Sequence, residues 1–271
     1  NILLIGSSYS AEDIGMQTHK MGAKSVTFSY RSGPMGFDWP ENATERPLVT
    51  RFDGSTAHFS DGTTGDFDAV VLCTGYQHKY PFLPGGLSLK SRNVLYPDHL
   101  YKGVVWQDNT NLFYLGAQDQ YYTFNMFDAQ AWFVRDVMLG RIALPDAAER
   151  AADITVWLER QAALASHDAE ADYQTDYLRE LIALTDYPEF DLDTVSALFK
   201  QWMRDKQDNI LGYRDNVHRS VMTGTMAARH HTRWINAMDD SLARYLQGPS
   251  ENVDTGALAA ITAAASAGRH S

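Results

Sequence analysis

Cysteine is almost missing from this chain of 271 residues: Cys73 is the only one. A single thiol excludes an internal disulfide framework, a Cys-based zinc site and the paired cysteines of a disulfide reductase. It fits a reducing compartment, and the protein is expected in the cytoplasm. Basic side chains are scarce as well, 23 Lys and Arg against 34 Asp and Glu, for a net charge of −11. That field repels nucleic acid and anionic lipid. Neither is expected as a partner, although a local basic pocket for a phosphate stays open. No apolar run approaches the roughly 20 residues that span a bilayer. What is present, 44% hydrophobic and 12% aromatic residues, suffices for a sizeable core and excludes disorder over most of the chain.

The chain opens Asn1-Ile2-Leu3-Leu4-Ile5-Gly6, with no Met, no charged leader and no signal-peptide pattern. An apolar run followed at once by glycine reads as a buried parallel strand entering a turn. Natural chains seldom start inside a central strand, so a fragment is expected. A helix follows from about Ala11 to Met21, with Gly22 placed as its C-terminal glycine, and then a strand from Ser25 to Tyr30. Residues 33–50, with Gly33, Pro34, Gly36, Pro40 and Pro47, read as loop. Ala57 to Ser60 and Phe67 to Leu72 read as a hairpin around the turn Asp61-Gly62. Residues 78–100 are rich in loop residues. Short strands are expected at Val104–Trp106 and Leu112–Leu115, and a helix at Thr123–Leu139, stopped by Gly140. Beyond Pro145, apolar residues recur at helical spacing: Ile154, Trp157, Leu158; Tyr177, Leu178, Leu181, Ile182; Val195, Leu198, Phe199, Trp202.

Gly6-Ser7-Ser8-Tyr9-Ser10-Ala11 stands where a dinucleotide-binding G-x-G-x-x-G turn would stand. Gly6 permits the tight bend. Ser8 and Ala11 replace the other two glycines with residues small enough for close phosphate approach and helix packing. The helix N-terminus would face a pyrophosphate, with Ser8 and Ser10 as further donors. An ordinary serine-capped turn is the alternative. The next strand ends Tyr30-Arg31-Ser32, where an NAD site would carry an acid for the ribose. A guanidinium there pairs with a 2′-phosphate, and Ser32 adds a hydrogen bond, which argues for NADPH. The alternative is an exposed arginine at a strand end. Glu12 and Asp13 complement the helix dipole, yet a carboxylate so close to a pyrophosphate would repel it unless turned away. Cys73, within Leu72-Cys73-Thr74-Gly75-Tyr76, reads as a small buried hydrophobe rather than a reactive thiol. His230-His231 lacks neighbouring ligands at metal spacing, so no metal is expected.

These pieces together resemble the flavin-containing monooxygenases. In that family a G-x-S-x-S-[GA] turn begins the NADPH domain, a strand-end Arg follows, and an A-T-G-Y-like segment returns the chain to the FAD domain; Cys73 stands at that alanine. Further segments are similar to the bacterial trimethylamine monooxygenases: Phe37-Asp38-Trp39-Pro40-Glu41-Asn42, Tyr101 to Trp106, Gly116 to Gln120, Phe124 to Trp132 and Met222 to Ala227. The resemblance runs over roughly residues 1–248. It departs in lacking the FAD-binding glycine motif and the F-x-G-x-x-x-H fingerprint of complete members. It implies an α/β fold: an NADPH-binding Rossmann-like domain (1–77), the C-terminal part of an FAD-binding domain (78–145) and a helical C-terminal region (146–250), before a disordered tail (251–271).

The activity implied is oxygenation of a small tertiary amine, trimethylamine to its N-oxide, with NADPH, FAD and O2, through a C4a-hydroperoxyflavin. Related oxygen acceptors (a sulfide, an indole, a ketone) or an inactive nucleotide-binding fragment are the alternatives. The resemblance also implies a homodimer. It places Gly6, Ser7, Ser8 and Ser10 on the NADPH pyrophosphate, Arg31 and Ser32 on the 2′-phosphate, and Tyr9 at the nicotinamide as a gate. Thr74 and Gly75 would line the interdomain hinge. Gln118 would precede a helix aimed at the flavin, with Gln120, Tyr122 and Thr123 beside it. Asp119 would attract an ammonium substrate or orient a water, or else serve as a loop or cap carboxylate. Trp202 would wall the substrate channel, or simply pack in the core. The aromatic run Tyr121 to Phe133 would line a flavin pocket and build core.

Overall fold

The computed structural model describes residues 1–90, 94–228 and 232–237. The opening apolar run forms β1 (Ile2–Ile5), and it is central. It pairs in parallel with β2 (Val26–Ser29) on one side and with β7 (Ala69–Leu72) on the other. β3 (Ala43–Arg46) adds in parallel outside β2, for the order β3-β2-β1-β7. Alternate side chains of β1 enter different cores. Leu4 packs with Ala11, Met16, Val26 and Phe28, on the side covered by helix α1 (Tyr9–Lys20). Leu3 packs with Ala57, Phe59 and Phe67, on the side covered by an antiparallel meander of β4 (Val49–Asp53), β5 (Thr56–Phe59) and β6 (Thr64–Asp66). Burial on both faces explains why the strand is continuously apolar.

Helix α1 begins two residues earlier than its apolar spacing indicates, at Tyr9, with Ser8 extended at the N-cap. Gly22, at φ +86°, follows the C-cap residue Met21 in the left-handed conformation that suits glycine. Three expectations need correction. The stretch 33–50 is not all loop: it contains β3, a polar edge strand bracketed by Pro40 and Pro47, and the start of β4. The hairpin partner of β5 is β6, not the strand Phe67–Leu72. The chain turns at buried Phe67, and β7 joins β1 in the parallel sheet. Finally, β9 (Val105–Trp106) pairs with β8 (Leu100–Tyr101), while of residues 112–115 only Phe113 bridges Val105. The β8–β9 turn uses Lys102 and Gly103 at positive φ. A lysine there gives no hairpin signal in the sequence.

The C-terminal half is helical. α2 (Phe124–Met138) ends as expected before Gly140, which has φ +69°. α3 (Ala147–Ala162), α4 (His167–Ala183) and α5 (Leu192–Asp208) follow. Ile154, Trp157, Tyr177, Leu178, Leu181 and Ile182 meet in one core with Met126 and Phe133, with Leu158 and Val195 packed against it, whereas Trp202 packs against the core under α1. Tyr96 stacks on Trp157 at 5.6 Å and 6°. Beneath this core Lys102, 6% exposed, is paired with Asp153 of α3 and Glu180 of α4. After α5, Ile210 and Tyr213 return to the core beneath α1.

Asp146 starts α3 with a capping box. Its carboxylate accepts from the amides of Ala148 and Glu149, both at 2.9 Å, and the Glu149 carboxylate accepts from its amide at 3.1 Å. Asp146→Ala is expected to cost about 1 kcal/mol. Chemical denaturation should show this as a lower midpoint at unchanged slope. No helix among the described residues is long and apolar enough to cross a membrane. The expectations for His230-His231 and for 251–271 lie outside the described residues.

Candidate functional site

The parallel sheet changes direction of winding at β1, with β2 and β3 on one side and β7 on the other. Ligands of open α/β sheets bind at the carboxyl ends of strands flanking such a point. Gly6 lies there at φ +141°, its amide donating to the carbonyl of Ser29 at 2.9 Å. A Cβ at this position would sit 2.1 Å from the carbonyl oxygen of Cys73. Gly6 is therefore required both by conformation and by the strand beside it. Ser7 is half-buried, and Ser8 and Ser10 are exposed. No side chain caps the N-terminus of α1; the amides of Ala11 and Glu12 donate to the Ser8 carbonyl, which leaves those of Tyr9 and Ser10 for an anion. Ala11 is fully buried against the sheet, and the helix also comes close at Gly15, where a Cβ would fall 2.4 Å from the Phe28 ring.

Arg31 and Ser32 emerge beside this turn, two residues beyond the carbonyl that Gly6 contacts. Both are exposed, and among the described residues Arg31 has no hydrogen-bond or ion-pair partner. Thr74 and Gly75 leave the end of β7 at the same edge, Gly75 at φ +82°, both exposed. Cys73 is half-buried, and that burial pushes its thiol up, away from the reactive thiolate.

Tyr9, inside the turn, meets the helical half. Its hydroxyl donates to Sδ of Met203 at 3.4 Å, and its ring stacks on Trp202 at 6.5 Å. Trp202 continues to Phe199 at 5.8 Å, and Phe199 to Tyr121 at 4.8 Å. This ladder of four rings joins the turn after β1 to the loop before α2. Burial, then the charges of Glu12, Asp119 and Glu170, push the Tyr9 phenol up to about 12, so it stays a neutral donor. The charges of Asp119 and Glu170 reach Tyr9 from elements far along the chain. A pocket of about 350 Å³ opens beside the ladder, lined by Tyr121, Tyr122, Thr123, Phe199, Trp202 and His218. Trp202 both packs and lines it.

The loop before α2 is held by α4. Gln174 accepts from the Tyr121 amide at 2.8 Å and donates to the Asp119 carbonyl, while the Tyr121 hydroxyl donates to Glu170. The Asp119 carboxylate accepts from the Gln120 amide at 3.0 Å. Oε1 of Gln120 is buried with no hydrogen-bond partner among the described residues, as expected of a group that awaits a ligand donor. Thr123 sits at φ +43° at the N-cap of α2 and makes no side-chain cap. Two of the expected cofactor residues are instead engaged inside. Gln118 donates to the Leu95 carbonyl at 2.9 Å and accepts from Gln130. Tyr122 shares a hydrogen bond with Thr175, its ring side lining the pocket. Glu170 and Gln174 on α4 and His218 in the segment after α5 carry no signal in the sequence, and Phe199 on α5 carries only that of an apolar helix face.

The flavin-binding monooxygenase-like family model matches residues 42–203. The chain belongs to that family. It is 58% identical over 249 residues to the trimethylamine monooxygenase of Methylocella silvestris, covering 92% of this chain and 55% of that protein. To the trimethylamine monooxygenase of Roseovarius sp. strain 217 it is 56% identical, over 91% of this chain and 56% of the relative. The crystal structure of Tmm from Pelagibacter sp. strain HTCC7211 matches with TM-score 0.88 and 49% identity, over 90% of this chain and 56% of that one. The fold is also that of S-allyl-L-cysteine S-oxygenase from Allium sativum (TM-score 0.64, 23% identity, covering 79% of this chain and 51% of that one). The chain thus spans about half the length of the curated relatives it matches.

Proposed function

We propose that this chain carries the coenzyme-binding and helical parts of an NADPH- and FAD-dependent monooxygenase that converts trimethylamine to its N-oxide. Residues 1–77 are read as the NADPH unit, 78–145 as part of the FAD unit and 146–250 as the helical cover. The observation that carries the coenzyme assignment is the meeting of the Gly6 turn with unpartnered Arg31 and Ser32 at one sheet edge. The substrate rests on the trimethylamine monooxygenases at 56–58% identity.

Gly6, Ser7, Ser8 and Ser10 would hold the pyrophosphate, and Arg31 with Ser32 the 2′-phosphate. Thr74 and Gly75 would line the hinge. Gln120, with its unpartnered carbonyl, and Thr123 would meet the flavin. Gln118 and Tyr122 would support that wall from within. Bound flavin, once reduced, supplies the activation of O2 from which one oxygen atom passes to the substrate nitrogen. The protein orients the partners and keeps water out. Asp119 would draw in the ammonium form or orient a water. Neutral Tyr9 would donate a hydrogen bond and gate the pocket. Aromatic faces backed by carboxylates suit a methylated ammonium ion. One cysteine, a net charge of −11 and the family resemblance support a cytoplasmic homodimer acting on a small molecule, with no nucleic-acid or membrane partner.

Titration of the chain with NADPH and with NADH, read by dihydronicotinamide fluorescence, tests this reading. Saturable NADPH binding at least about tenfold tighter than NADH is expected from a charge-assisted phosphate contact. Equal affinity for the two coenzymes would sink it.

A further inference from the structure

Two acids stand in the first turns of α1, where their charge opposes a bound diphosphate. The fold answers both with cations from one later stretch. Glu12 is turned inward, 6% exposed, and its carboxylate accepts from Nζ of Lys206 at 2.8 Å. Asp13, on the outer face, is paired with Arg214. Lys206 lies in the last turn of α5, 194 residues from Glu12, and is itself only 4% exposed. Its ammonium lies 4.3 Å from the Tyr9 ring centroid, 5.3 Å from that of Phe37 and 5.5 Å from that of Trp202. It is thus held by one carboxylate and three aromatic faces, with no water-exposed role.

We propose that Lys206 is a positioning residue for the coenzyme turn: it cancels the Glu12 charge beneath the pyrophosphate site and fixes the Tyr9 ring at the site's mouth. The proposal rests on reading the Gly6 turn as the NADPH site. A buried ion pair contributes little net stability, but removing one partner leaves an uncompensated charge. Here that charge would be negative and next to an anionic ligand. The two partners should therefore affect binding with opposite signs, which a merely structural pair would not do.

The test is NADPH titration of the 271-residue chain and of Lys206→Met, Glu12→Gln and the double variant, at low and high salt. Lys206→Met should weaken binding about tenfold, an effect of the size of one unscreened like charge. Glu12→Gln, which keeps a hydrogen-bond acceptor for Lys206, should bind as tightly as the parent or tighter. The double variant should return to within about threefold of the parent, since no net charge is left buried. If Lys206→Met does not fold, the sign at Glu12→Gln and the affinity of the double variant decide the matter. Unchanged binding in Lys206→Met, or weakening by Glu12→Gln, overturns the proposal while parent binding leaves the coenzyme reading intact. Failure of the parent to bind NADPH overturns both.

Discussion

Gly6→Ala is expected to disrupt this protein more than any other change of one methyl group. The residue sits at φ +141°, and the added carbon would lie 2.1 Å from the Cys73 carbonyl oxygen. That oxygen belongs to backbone directly after β7, so it cannot swing aside as a flexible side chain would. Strain at the dihedral costs about 1–3 kcal/mol, and forced separation of packed strands about as much again. A loss of about 2–6 kcal/mol follows, together with loss of NADPH binding, because the displaced carbonyl would widen the turn. Gly62→Ala is the control. It also has positive φ, at +84°, but nothing lies within 4 Å of the added carbon. It should cost only the left-handed penalty of about 1–2 kcal/mol. Equal losses at the two positions, measured by urea unfolding, would refute the close contact.

Arg31→Ala should behave in the opposite manner, leaving stability alone and changing coenzyme choice. The side chain is exposed and has no partner among the described residues, so its removal costs the fold nearly nothing. A charge-assisted contact with the 2′-phosphate is worth about 1.5–3 kcal/mol. NADPH affinity should fall by about 10- to 150-fold, while NADH affinity stays within about twofold. The preference of the parent should also shrink with added salt, since the contact is at the surface. Matching losses with both coenzymes would remove Arg31 from the phosphate site.

Much of the sheet edge around Gly6 was legible because its signals are local. An apolar strand, a glycine at a forced bend and small residues opening a helix are each decided by neighbours within ten positions. The place of Arg31 beside that turn needed only a second strand at the right interval. The hairpin error shows where local reading ends: Phe67–Leu72 has good strand residues, but the choice between β5 and β1 as partner depends on which face is buried. Lys102 in the left-handed region was hidden because buried contacts with Asp153 and Glu180 override the preference for glycine or asparagine there. At the candidate site, Tyr9 and Asp119 were named from the resemblance, but what holds them in one place was not legible. Gln174, Glu170, Phe199 and Lys206 act from helices whose sequence spacing says only that one face is apolar. Gln118 shows the converse: its place in the motif pointed to a cofactor, and its side chain is engaged in the interior.

The central place of β1 also orders events during synthesis. Its inner partner β2 is available within 30 residues, but β7 emerges only at residue 72, after the whole meander has been made. Until then one flank of the first strand offers unpaired amides to any other nascent chain. The meander packs on Leu3 of that strand and must condense against it before the flank closes. Such closure of distant parallel partners is slow, and a ribosome pause before β7 has been made would prolong the interval in which this chain is prone to clump.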